Sequence, residues 1–120
     1  METKEIFEDK ELKDLRMFYG TSKYIGIMGV KITDGIEYIM KNGYSWFITD
    51  SIVIINTLKA TNEFLSVKLV TDLKEHKAKM VITDGNEKVL HTQKYGYTDS
   101  KVSEISLYFT DNVYMYSGEY

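Results

Sequence analysis

The dipeptide Thr-Asp occurs six times in this chain, at Thr33-Asp34, Thr49-Asp50, Thr71-Asp72, Thr83-Asp84, Thr98-Asp99 and Thr110-Asp111. Both side chains hydrogen-bond nearby backbone amides, so they favour turns and helix caps over the interiors of elements. Most of these pairs stand where an apolar run stops, and they divide the chain into elements. Their spacing follows no fixed period, so they do not mark a structural repeat.

The segments between them have readable patterns. Over residues 9–18, Leu12, Leu15 and Phe18 fall near helical spacing with charges elsewhere, which predicts a short amphipathic helix closed by Gly20. Residues 27–32 read as a short strand. Asp34 and Glu37 have capping-box spacing, Ile36, Ile39 and Met40 supply an apolar face, and Gly43 is placed to end that helix. Residues 44–58 combine a helical stripe (Ile48, Ile52, Ile55) with a β-branched run, and we read them as a helix. In the second half the apolar positions alternate. Leu65, Val67 and Leu69 mark one strand and Ala78, Met80 and Ile82 the next. Asp84-Gly85-Asn86-Glu87 reads as a hairpin turn. Further strands are expected at 88–97, 105–109 and 113–116. The fold expected is α+β, with N-terminal helices packed on one face of a four- to five-stranded antiparallel β-meander, in a single domain over residues 1–120.

Composition restricts the chemistry. The chain has no cysteine, which removes disulfides, zinc-thiolate sites and thiol catalysis. A net charge of −3 argues against a general nucleic-acid binder. No apolar run approaches the roughly 20 residues that span a bilayer. The polar, acidic stretch Met1 to Asp9 does not read as a secretory signal, so the expected location is the cytoplasm, with no membrane partner. Proline is absent and fourteen lysines accompany the single Arg16. That usage is typical of AT-rich coding and points to a low-GC bacterium or one of its phages.

No catalytic constellation stands out. His76 and His91 flank the 84–87 turn on different expected strands, and two histidines do not make a metal site. His91 beside Glu104 is the one acid-base pair worth weighing, for a small hydrolase using carboxylates. The Thr-Asp aspartates read as turn and cap residues, and no metal or cofactor is expected. Gly20-Thr21-Ser22-Lys23 resembles a phosphate loop, but the first glycine of that pattern would fall at Leu15.

The ten tyrosines are the more telling feature, because tyrosine provides contact area at low entropic cost. Tyr44, Trp46 and Phe47 form the densest aromatic cluster. Tyr114, Tyr116 and Tyr120 form a second, which on an edge strand would recruit another copy of the chain. The leading expectation is a small non-catalytic protein that acts by stoichiometric contact with a host protein through Tyr24, Tyr44, Tyr108, Tyr114 and Tyr116. In a phage or other mobile element it would inhibit a host defence protein such as a CRISPR effector. The alternative is a nucleic-acid-associated protein using Lys74, Lys77 and Lys79, the one local basic stretch.

The stretches LRMFYGT (15–21), ITDGIEYI (32–39), SWFITDSI (45–52), ITDGNEKVLHTQ (82–93), YTD (97–99), ISLYFTDNV (105–113) and SGEY (117–120) together resemble a family of short proteins of unknown function from bacteria, phages and plasmids. The resemblance runs from about Leu12 to Tyr120. It implies a helix over 45–58 and a mobile-element origin, and it implies no activity, cofactor or catalytic residue.

Overall fold

A single helical layer covers one face of a seven-stranded sheet. The computed structural model describes residues 11–120. Its strands are β1 (Ile25–Ile27), β2 (Val30–Ile32), β3 (Phe64–Asp72), β4 (Lys77–Thr83), β5 (Val89–Tyr95), β6 (Glu104–Thr110) and β7 (Val113–Tyr116). They lie in the order β1-β2-β7-β6-β3-β4-β5. Every neighbouring pair is antiparallel except β2 and β7, which run parallel. The helical layer consists of α1 (Asp34–Ile39) and α2 (Ser45–Leu58).

The α+β class agrees with the sequence, but the sheet is larger than expected and mixed rather than an antiparallel meander. Two features account for the difference. The expected strand at 27–32 is a hairpin: Met28 and Gly29 both take positive φ (52° and 89°), the backbone of a tight two-residue turn, and they split the run into β1 and β2. After β5 the chain then crosses back, so that β6 pairs with β3 rather than with β5.

The expected helix over 9–18 reduces to one turn of 3-10 helix at Leu15–Met17, with residues 9 and 10 outside the described region. Leu12 has φ 55°, which no right-handed helix can pass through. Leu12 and Leu15 are nevertheless buried.

Alternation in β3, β4 and β6 turns Leu65, Val67, Leu69, Met80, Ile82, Ile105 and Leu107 toward the helical layer. From α2, Phe47, Ile48, Ile52 and Ile55 meet them, each fully buried. The helix read over 44–58 is thus present, and its isoleucine stripe is its core face. Between α1 and α2 the chain kinks at Asn42 and Gly43 (φ 102°), so Gly43 does end the first helix as its sequence position predicts. Asn42 Nδ2 donates to the Tyr38 carbonyl (2.8 Å) and Ser45 Oγ to the Met40 carbonyl (3.1 Å), satisfying acceptors that the kink frees.

Ile52→Ala should cost about 2–5 kcal/mol, because it opens a cavity between α2 and the sheet. Val53→Ala, at a half-exposed neighbour, should stay within about 0.5 kcal/mol of the parent. Urea denaturation of the two variants checks the pair.

Candidate functional site

Five of the six Thr-Asp pairs sit at element ends or in loops. At the first of them three distant stretches meet. Thr33 is the N-cap of α1, and Asp34 is its first residue rather than the cap its spacing with Glu37 predicts. The capping carboxylate comes from Glu119 instead. Its Oε1 accepts from Thr33 Oγ1 (2.6 Å) and from the Tyr116 amide (2.9 Å), and its Oε2 accepts from the Gly35 amide (3.0 Å). A Cβ at Gly35 would collide with that carboxylate. Glu37 forms ion pairs with Lys23 (3.6 Å) and Lys41 (3.4 Å).

The phosphate-loop-like stretch joins the same cluster. Ser22 donates to Asp34 Oδ2 from its amide (2.9 Å) and its hydroxyl (2.8 Å), and the Asp34 amide donates to Thr21 Oγ1 (2.9 Å). Its donors are therefore spent on a carboxylate of the chain itself. The Ser22 amide and hydroxyl hold the Asp34 carboxyl below its usual range, against a smaller opposing effect of burial.

Thr49-Asp50 is the exception, lying inside α2. Thr49 Oγ1 bonds back to the Ser45 carbonyl (2.9 Å). Asp50 faces β5, where Oδ2 accepts from Tyr95 OH (2.8 Å) and, at longer range, from Gln93 Nε2 (3.4 Å). Trp46 packs edge-on against Tyr95, with ring centroids 5.0 Å apart. Burial, followed by the Asp50 carboxylate, raises the Tyr95 phenol far above its ordinary range. His91 is on the same face of β5, and its Nε2 is buried without a hydrogen-bond partner. Glu104 is on β6, three strands away and on the opposite face, where it bonds Ser106 Oγ (3.0 Å) and Lys68 (3.8 Å). At about 4.8 Å per strand, with an offset of about 10 Å along the strands, that puts the backbones of His91 and Glu104 roughly 17 Å apart. The acid-base pair weighed from the sequence does not form.

The tyrosines separate in the same way. Tyr44 and Tyr114 are buried in the core, with their hydroxyls against Ser100 (3.2 Å) and Ser51 (2.7 Å). They present no contact surface. Complete burial raises the Tyr114 phenol well above its ordinary range. Tyr24 is exposed, next to the edge strand β1, and Tyr116 is half-buried over Gly35 and Gly118. The expected edge strand at the C-terminus is interior: β7 lies between β2 and β6, so it offers no free edge to a second copy.

Tyr108 belongs to a surface. Its side chain leaves the sheet on the side away from the helices, where no described element covers it. There Phe64, Tyr108 and Tyr120 form a triangle, with ring centroids 5.2, 5.7 and 5.2 Å apart. Met115, the register partner of Tyr108, stands beside it. The same face carries Lys77 and Lys79, while Lys74 lies in the turn before them. Phe64 and Lys94 escaped the sequence reading, and Tyr120 entered it only within the C-terminal aromatic group. The outward positions of β3 and β5 were its one signal for Phe64 and Lys94.

An open cleft of about 420 Å³ lies at the end of the sheet beside α2, lined by Lys59, Asn62, Glu63, Phe109 and Thr110 to Asn112. Lys59 Nζ is held there by Asn112 Oδ1 (3.1 Å) and the Gly29 carbonyl (3.2 Å). Among the described residues no group of three or more acidic or histidine side chains is placed to hold a metal, and no helix is long and apolar enough to cross a membrane.

The stretches that carried the family resemblance lie within one match, which spans residues 9–120. The chain belongs to DUF6876, a family of unknown function. No curated protein and no solved structure matches it. In this member of DUF6876, the 32–39 and 117–120 stretches meet through Glu119, and Thr21 of the 15–21 stretch joins them at the Asp34 amide.

Glu119→Ala should lower stability by about 1–3 kcal/mol, because it strands the Gly35 amide and the Thr33 hydroxyl. Gly35→Ala should do comparable harm, and the double variant should fall short of the sum, since both break one contact. Denaturant midpoints of the three variants test this coupling. The lowered Asp34 pKa fixes a further sign. Its stabilising effect is complete above the ordinary carboxyl pKa near 3.9 and is lost as pH falls through the lower folded value. Asp34→Asn should therefore flatten the acid limb of a stability–pH curve below about pH 4 and leave its slope near neutrality unchanged.

Proposed function

We propose that the chain is a non-catalytic binding module that works by stoichiometric contact with a protein partner, through the sheet face the helices leave open. The observation that carries this reading is the Phe64–Tyr108–Tyr120 triangle. Aromatic clusters on a flat, rigid support are what alanine scans find at the centres of protein interfaces. Tyr120 is 72% exposed. Contiguous apolar surface left open to water marks interaction sites, which scattered single side chains do not. Inhibition of a host defence protein is the form this reading takes if the partner proves to be such an effector.

The test is capture of partners from bacterial host lysate, with and without nuclease, by the tagged protein and by its Tyr108→Ser/Tyr120→Ser variant. The variant's fold is checked by its melting curve. One protein retained after nuclease by the parent, and bound at least about 30-fold more weakly by the variant, is the expected result. Equal capture by both would place the contact elsewhere. Recovery that vanishes with nuclease would move the function to nucleic acid.

A further inference from the structure

The open face carries an uneven distribution of charge. Its outward positions on β3 to β6 hold Lys68, Lys77, Lys79 and Lys94 against Asp72 and Glu104, in a chain whose net charge is −3. Lys68 is paired with Glu104 at 3.8 Å. Among the described residues, Lys77, Lys79 and Lys94 form no ion pair; Asp72 stands directly across from Lys77, but its Oδ1 accepts from the Lys74 and Glu75 amides. Lys79 and Lys94 are direct register partners across β4 and β5, and both are exposed. Like charges in that position repel and weaken the strand pair. Lys77 and Lys79, two residues apart on β4, extend the ridge by about 6.6 Å along the strand.

Edge protection accounts for Lys94, which stands on the edge strand β5, but not for the two lysines beside it. Lysines that guard a sheet stand on its edge strands. Lys77 and Lys79 stand on β4, which has neighbours on both sides. Solubility would be served as well by alternating signs. A ridge of unpaired cations on an otherwise negative molecule instead orients an anionic partner toward one face.

We propose that the Lys77–Lys79–Lys94 ridge docks an acidic polypeptide segment of the partner protein. This rests on the reading that the open face binds protein. One observation favours carboxylates over the phosphates of single-stranded nucleic acid. A nucleic-acid platform sets its base-stacking rings beside its cations. Here the β3 residue opposite Lys79 is Val70, whereas Tyr108 lies opposite Ser66, four positions away along that strand, and Phe64 stands six positions away. That puts the ring triangle about 16–20 Å from Lys79 and leaves Tyr97, tilted against His76, as the exposed aromatic ring at the ridge's end.

The test is fluorescence anisotropy with three labelled probes: a short Glu/Asp-rich peptide, a Gly/Ser peptide of equal length and a short oligo-dT. Each is titrated at about 50 mM and about 300 mM salt, across the screening range. The acidic peptide should bind, weaken at the higher salt, and lose at least about tenfold in affinity in Lys79→Glu/Lys94→Glu. Lys23→Glu/Lys41→Glu makes the same change in net charge beside α1 and should bind as the parent does. If the double reversal on the sheet fails to melt cooperatively, Lys79→Gln/Lys94→Gln replaces it, with a smaller loss in the same direction expected. Absence of peptide binding, equal loss in both double variants, or tighter binding of oligo-dT would each overturn the proposal. Partner capture that depends on Tyr108 and Tyr120 but survives Lys79→Glu/Lys94→Glu would sink the acidic-segment proposal and leave the open-face reading standing.

Discussion

One carboxylate joins parts of the chain that local sequence would leave apart. Glu119 takes donors from Thr33, Gly35 and Tyr116, and so ties the C-terminal turn to the start of α1. The β1–β2 hairpin reaches the rest of the sheet through two register pairs, Lys31 with Val113 and Ile32 with Tyr114. So short a parallel ladder is weak alone. It is held because Glu119 clamps α1 over the end of β7, and because Ser51 and Tyr114 meet beneath it. Each hydroxyl there would be costly if left alone, and each is satisfied by a residue far away in sequence.

The helices matter to the proposed contact through the face they leave bare. Alternation along β3, β4 and β6 is strict enough that one side of the sheet is a closed core and the other a set of outward side chains. Among the described residues no helix lies over that second side, and what reaches onto it from outside the strands includes the 84–87 turn, against Phe64, and the C-terminal Tyr120. Phe64, Tyr108 and the lysine ridge therefore share one surface, with their spacing fixed by strand geometry, and Tyr120 joins them from the C-terminal turn. A partner touching both would bind with little ordering cost on this side.

What could be read from the sequence was what depends on neighbours in sequence. Ile48, Ile52 and Ile55 marked the core face of α2, and the alternation of Leu65, Val67 and Leu69 marked the inner face of β3. The β6–β3 pairing could not be read, because no local signal says which strand a returning segment will join. Met28 hid a turn because methionine rarely takes positive φ. Glu119 capping α1 replaced a capping box that had the right spacing, since a carboxylate from afar reached the same amides. The tyrosines were the hardest case. Tyr44 and Tyr114 are core residues with seryl partners at Ser100 and Ser51, whereas Tyr108 is turned outward between the buried Leu107 and Phe109.

The parallel junction of β2 with β7 also sets an order of events during synthesis. β2 is made early, yet its partner outside the hairpin is the last strand of the sheet to leave the ribosome. Until then Ile32 and Ile36 lack the strand they are packed beside, while the isoleucine stripe of α2 can already pack on β3 and β4. Contacts this far apart in sequence slow folding. The β1–β2 hairpin stays without its sheet neighbour until Val113–Tyr116 emerges, whereas the β3–β4–β5 meander can pair as soon as it appears.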